Sequence, residues 1–192
     1  MATKTSQNKS LLLTLIALLL AGAASAQKSY VLNSHKMSVD GTSSLHDWSS
    51  DVAKVDWSGR ITAEGTSVKA ISDVTVKIAV TDIKSSKGGM MDDKTYEAFD
   101  SEKNPTITFK LNSAVVTANT AKANGTLTMA GVTKPIVMNV STKVLADGSV
   151  NLSGSQAINM KDYGMKPPKA VMGTIKVGEK VTLLFELTVK PQ

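Results

Sequence analysis

The chain contains no cysteine. Disulfide cross-links and a lipid-modified cysteine are therefore excluded, and the folded part must rely on its core. Aromatic residues make up only 4% of the chain, and no basic run occurs although the formal net charge is +6. Nucleic-acid surfaces combine a basic stripe with stacking aromatics. Here the lysines are scattered singly among Asp and Glu, which reads as a solvated outer face, and no nucleic-acid partner is expected. The one long apolar run, Leu11–Leu20, is interrupted only by Thr14. It falls short of the ~20 residues that a membrane span needs. Histidine is equally scarce: His35 and His46 are the only two. Their spacing with Asp40 or Asp47 matches no standard zinc motif, so no metal is expected. Ser44, His46 and Asp47 suggest a catalytic triad by composition alone. Neighbours in an extended segment point to opposite faces, and no nucleophile elbow exists, so no enzymatic activity is expected.

What is present begins with an export signal. Lys4 and Lys9 precede the apolar run, and Ala24 and Ala26 supply small residues at the two positions a signal peptidase reads. Residues 1–26 are expected to be a signal peptide, cleaved after Ala26, which places the mature chain in the periplasm or outside the cell. Losing Lys4 and Lys9 leaves a net charge of +4. No internal repeat or linker divides residues 27–192, which are expected to form one domain.

Most of that domain alternates with a period of two, the signature of half-buried strands. Gly125–Val140 reads as a hairpin: Leu127 and Met129, a break at Gly131, then Ile136, Met138 and Val140. Pro135 is expected near the start of its strand. In Tyr30–Val39 the phase slips between Leu32 and Met37, which predicts a bulge. Gly41–Ser44 looks turn-like. Val55, Trp57 and Ile61 share a face, as do Val74, Val76 and Ile78, with Ile71 out of phase. Ile107, Phe109 and Leu111 alternate cleanly. Asp147-Gly148 predicts a second hairpin turn. Lys161–Ala170 is expected to be a loop, because two prolines stop helix and sheet alike. Val177–Lys180 is expected to turn into a final strand carrying Val181, Leu183, Phe185, Leu187 and Val189. Met91–Asp100 is the one good helix candidate, with Asp92 and Asp93 favouring its dipole and Met91, Thr95 and Phe99 on one face.

Several of these strands exceed the usual five or six residues. Long antiparallel strands suit a closed barrel, and polar outward positions exclude a membrane barrel with its apolar girdle. The expected fold is all-β, an antiparallel lipocalin-like barrel of about eight strands with one short helix. Alternation alone leaves open whether the barrel is filled or hollow.

The segments Lys94-Thr95-Tyr96-Glu97-Ala98-Phe99 and Asn104-Pro105-Thr106-Ile107-Thr108-Phe109 resemble the helix-to-strand signature of the YceI-like family. Gly125–Pro135 resembles its hairpin, and Asp162-Tyr163-Gly164 its short aromatic-glycine element. The resemblance extends from about Tyr30 to Val189. It implies a lipocalin-like barrel, secreted or periplasmic, that holds an isoprenoid or other amphiphilic chain and does not catalyse. The chain departs from the family where a His-Ser pair is usual: Ser34-His35 are reversed, and His46-Asp47-Trp48 resembles a sub-branch element.

These readings converge on a binding protein for a long apolar ligand, such as a polyisoprenoid, a quinone or another lipid. The alternative is a structural or stress-response barrel with a filled core. A ligand-binding wall should be large, flexible and aliphatic with a few aromatics. Trp57, Met91, Phe99, Ile107, Phe109, Leu111, Met129, Met138, Phe185 and Leu187 meet that description. His46, Asp47 and Trp48 are the candidates for a polar head group at the barrel mouth, with hydrogen bonding of their own loop as the alternative for His46 and Asp47. The helix at Met91–Asp100 is either a lid or a fixed plug. No cofactor is expected beyond a bound isoprenoid or lipid, and a homodimer is left open.

Overall fold

The computed structural model describes residues 27–170 and 174–192; the expected signal peptide lies outside the described residues. The first half of the chain forms β1 (Lys28–Ser43), β2 (Trp48–Val52), β3 (Asp56–Glu64), β4 (Ser67–Ala79) and β5 (Ile83–Ser85), followed by helix α1 (Gly89–Phe99). The second half forms β6 (Thr106–Thr117), β7 (Thr120–Met129), β8 (Val132–Val144), β9 (Val150–Asn159), β10 (Lys169–Ala170) and β11 (Ile175–Pro191). Every pairing is antiparallel. Eight strands run in the order β1-β3-β4-β6-β7-β8-β9-β11, and β11 returns to β1 from Tyr30↔Pro191 to Ser43↔Val177. That last ladder closes the barrel and removes the two edges an open sheet would expose. The short strands β2 and β5 extend the wall beside the second half of β1.

Bulges account for the places where alternation fails. The β1–β11 register shifts between Leu32 and Ser34, so Asn33 is the extra residue and Met37 returns to the inner face. Ile71 looks out of phase in sequence because β4 carries a bulge between Ser72 and Thr75, where Asp73 adopts a φ of 54°. Ile71 and Val74, three apart, therefore share the inner face. Asn112 does the same in β6, bringing Ala114 into line with Leu111.

Several boundaries differ from the sequence reading. Gly41–Ser44 is largely strand, since β1 runs through Ser43. Gly41 is required there for proximity: a Cβ would lie 2.3 Å from the Trp48 indole. Val177–Lys180 is a wide bulge inside continuous β11, opposite Thr42, and not a turn. Pro135, by contrast, lies near the start of its strand as expected, the fourth residue of β8, paired with Thr126. It is tolerated because the β8–β9 ladder starts only at Ser141, so β8 is paired on one side at that height. The hairpin turn itself is Ala130-Gly131, both at positive φ (48° and 77°), as a two-residue type I′ turn needs. The expected loop at Lys161–Ala170 opens with a 3-10 turn, Met160–Tyr163, capped by the Asn159 side chain, which accepts from the Lys161 N–H; it ends in β10.

Helix α1 starts two residues earlier than expected, after Gly88, and ends at a left-handed Asp100. Its polar side is tied to β5 and to the 3-10 turn Val80–Asp82 that precedes it. Asp92 Oδ1 accepts from the Ser85 N–H at 2.7 Å, Tyr96 Oη donates to the Thr81 carbonyl at 3.1 Å, and Lys84 Nζ donates to Tyr96 Oη at 2.6 Å. The last bond, with Asp92 nearby, holds the Lys84 ammonium above its ordinary range. These bonds turn Met91, Lys94, Thr95, Ala98 and Phe99 toward the barrel interior.

The barrel is filled at the opposite end. Tyr30, Ile61, Val68, Val150 and Val189 are all buried there, where β1 and β4 begin and β3 and β11 finish. Within this floor, Thr142 Oγ1 is buried and has no hydrogen-bond partner among the described residues. Leaving a hydroxyl unpaired costs about 1–3 kcal/mol, whereas an isosteric methyl avoids that cost. Thr142→Val is therefore expected to raise the unfolding free energy by about 1 kcal/mol, measured by urea denaturation. A loss of stability would show that the hydroxyl is paired.

The barrel lumen as the candidate functional site

Above the floor the barrel is hollow. Inward residues of the barrel strands and α1 enclose a cavity of about 220 Å³, counted as space open to the centre of a water molecule. A single water needs only about 10–15 Å³ on that measure, so the space far exceeds a packing defect. Along β7 its wall runs from Ala121 to Met129. That is roughly 26 Å of strand at ~3.3 Å per residue, shortened along the barrel axis by strand tilt.

The hollow is built by pairing rings with glycines. A Cβ on Gly125 would fall 2.5 Å from the Phe109 ring, and one on Gly154 would fall 2.8 Å from the Phe185 ring. Gly59 stands in the same relation to Trp57, at 2.8 Å, as Gly41 does to Trp48. Each ring lies against the wall in space a side chain would otherwise take, so it does not project across the lumen. Small residues add room: Ala114, Ala121 and Ala123 line the lower wall. Sequence reasoning missed this device, because each glycine looks like a strand interruption until its cross-strand neighbour is known.

All ten aliphatic and aromatic candidates, Trp57, Met91, Phe99, Ile107, Phe109, Leu111, Met129, Met138, Phe185 and Leu187, line this cavity. So do Met37, Val74, Ile83, Leu127, Met160 and Met165, which the reading had not singled out as ligand contacts. The head-group candidates divide. Trp48 reaches the cavity wall, with its Nε1–H donating to the Thr42 carbonyl at 3.1 Å. His46 and Asp47 are exposed and lie outside the lining. Hydrogen bonds fix their loop in its own conformation. Ser43 Oγ accepts from the Leu45 and His46 N–H groups, and the Lys176 N–H donates to Ser44 Oγ. The His46 ring is engaged with the Asp47 carbonyl at 2.8 Å, so Ser44, His46 and Asp47 do not converge as a triad. His35 Nε2 meets the Val52 carbonyl at 3.1 Å, where β1 passes from the β3 ladder to the β2 ladder. No group of three or more metal-ligating side chains occurs among the described residues.

The wall is almost wholly apolar. Among the described residues its polar members are Ser50, Lys94, Thr95 and Gln156. Three of these are occupied. Lys94 Nζ pairs with Glu97 Oε2 at 2.6 Å, Thr95 Oγ1 donates to the Met91 carbonyl, and Gln156 Nε2 donates to the Ala157 carbonyl. A surface of this kind removes hydrocarbon from water and has little means to hold an ion.

Comparison with known proteins places this architecture. The YceI-like domain model matches residues 30–189. A UPF0312 protein of Pseudomonas paraeruginosa is 34% identical over 71 residues, or 33% of this chain and 36% of that protein. The chain thus spans about a third of that relative's length. Burkholderia cenocepacia BcnA shares the fold with a TM-score of 0.66 at 17% identity, covering 80% of this chain and 95% of that one. A polyisoprenoid binding domain from Saccharophagus degradans gives 0.63 at 12% identity, covering 86% and 99%. A Campylobacter jejuni YceI protein gives 0.56 at 20%, covering 73% and 85%. At these identities the structural likeness establishes the fold alone. The sequence model, matched across nearly all the described barrel, carries the assignment: the chain belongs to the YceI-like family.

Proposed function

We propose that this protein is an extracytoplasmic binding protein that holds a long apolar chain, a polyisoprenoid, quinone or other lipid, in the barrel lumen. The observation that carries this reading is the apolar cavity of about 220 Å³ above a filled floor. Burying hydrocarbon there is worth about 0.8 kcal/mol per methylene, so a long tail gains affinity without any charged contact. Ordering the ligand offsets part of that gain. The aliphatic and aromatic candidates form the contact wall in this reading, with the adaptable side chains of Met129, Met138 and Met160 moulding to an irregular chain. Support also comes from the Saccharophagus relative, which is named as a polyisoprenoid binding domain. The leader-like residues 1–26 support export.

The direct test is organic extraction of the purified protein followed by mass spectrometry, together with titration of the delipidated protein with a polyprenol. Co-purifying lipid, or saturable uptake with matching quenching of the tryptophan fluorescence of Trp48 and Trp57, is the expected result. An empty extract with no uptake would defeat the reading and leave a structural barrel.

A further inference from the structure

Residues 81–104 leave the barrel and rejoin it at one point. β4 and β6 pair up to Ala79↔Thr106, and the Val80 N–H donates to the Pro105 carbonyl at 2.9 Å across the neck. The outgoing limb is fixed as far as Ser85, because β5 pairs with β2 from Val52↔Ile83 to Ser50↔Ser85. The returning limb is fixed again at Asn104, which packs on the Ala130-Gly131 turn: a Cβ on Gly131 would lie 2.9 Å from its Oδ1. Between these anchors α1 joins no strand ladder. Among the described residues, every side-chain hydrogen bond or ion pair from α1 to the rest of the chain ends on residues 81–85. Lys84 serves two of them: its Nζ donates to Tyr96 Oη at 2.6 Å and lies 3.6 Å from Asp92 Oδ2. Gly88 and Gly89 lead into the helix. A Cβ at either would meet nothing within 4 Å, so packing does not call for glycine there. What the pair supplies is backbone freedom at a helix end, where hinges are found.

We propose that α1 is a hinged lid over the lumen, turning about Gly88-Gly89 and Asp100 and latched shut by Lys84 through Tyr96 and Asp92. This rests on the carrier reading above and adds how the ligand passes. The floor is filled, and α1 presents Met91, Thr95, Ala98 and Phe99 to the cavity at the other end, so it stands across the route inward from there. Moving it leaves the barrel closed, since residues 86–105 belong to no strand. Opening breaks the latch bonds and lifts one apolar helix face from the lumen. The Lys84 side chain is 51% exposed, so water and salt can replace its bonds when the lid lifts. On closing over a bound chain, Met91 and Phe99 regain apolar contact.

Two measurements on the full-length mature protein test this, one without ligand. The chain has no cysteine, so Met90→Cys on α1 and Val137→Cys on β8 take nitroxide labels at those sites alone. Both positions are exposed. Double electron–electron resonance should give one distance in this labelled protein, and Lys84→Ala with Tyr96→Phe should add a second, longer one. In the unlabelled protein, stopped flow follows uptake of phenylnaphthylamine and its release into excess phosphatidylcholine vesicles. An exposed bond is worth up to about fivefold and the two substitutions remove more than one, so both rates should rise about tenfold while Kd changes by less than about twofold. The unchanged Kd reports an intact lumen. A single unchanged distance makes α1 a fixed plug. Unchanged rates put entry elsewhere, such as the split between β8 and β9 above Ser141. Either result overturns the inference, while saturable probe binding keeps the carrier reading. If the probe binds neither protein, the carrier reading falls and the distances alone decide the lid: a second, longer one sustains it and a single one overturns it.

Discussion

Ala123→Trp is expected to weaken lipid binding about a hundredfold while leaving the barrel folded. Ala123 is 7% exposed, faces the lumen from β7, and pairs with Ala114 on one side and Met138 on the other. Its neighbours at that height are small or flexible, and this is why the space exists. Overpacking a filled core costs about 1–3 kcal/mol, but a side chain entering a hollow meets no such resistance. The indole instead takes the volume that a ligand tail would occupy. Excluding about four methylenes forfeits roughly 3 kcal/mol, which is about a hundredfold in Kd. The measurement is displacement of a bound fluorescent lipid, with thermal unfolding as the control. Unchanged affinity in a folded variant would place the ligand outside the lumen.

Gly125→Ala is expected to cost stability on a scale unusual for adding one methyl group, about 3 kcal/mol. The new Cβ would sit 2.5 Å from the Lys110 carbonyl oxygen and 2.5 Å from the Phe109 ring. A ring can rotate away; a backbone carbonyl held in the β6–β7 ladder cannot move without breaking pairing at Leu111↔Gly125. Gly59→Ala offers the contrast, since its nearest contacts are the tips of Trp57 and Val74. It should cost markedly less. Urea denaturation of the two variants separates the cases, and equal losses would refute the backbone argument. Adding Phe109→Leu to Gly125→Ala should recover the part due to the ring and not the part due to the carbonyl. Their non-additivity measures the contact.

The same residues show how much was legible beforehand. Inward placement of Phe109, Met129, Phe185 and the other candidates follows from a side-chain period of two, a property of the local backbone that any long strand displays. Helix α1 was legible because Met91, Thr95 and Phe99 repeat at helical spacing. The errors fall on residues whose types favour turns. Gly41 and Gly178 lie within strands, because a neighbour on another strand takes the space a side chain would fill. For His46 and Asp47 the sequence left open a head-group contact or bonding of their own loop, and both are exposed with His46 bonded within the loop. Ser43 Oγ accepts from the His46 N–H, and the Lys176 N–H donates to Ser44 Oγ, which fixes the loop's own conformation. Ser50 carried no signal at all, since it lies in a short polar stretch whose burial depends on β1 and β5.

Sequence alone determined that this chain is an antiparallel barrel with a greasy inner face, since alternation and turn chemistry are local consequences of backbone geometry. Tertiary structure decided that the barrel is packed at one end and hollow at the other. The difference lies in which rings lie over which glycines, and those partners are set by cross-strand register. Register depends on bulges at Asn33, Asp73 and Asn112; a phase slip announced the first, but which residue bulges there, and the other two bulges, are seen only when both strands of a pair are in place.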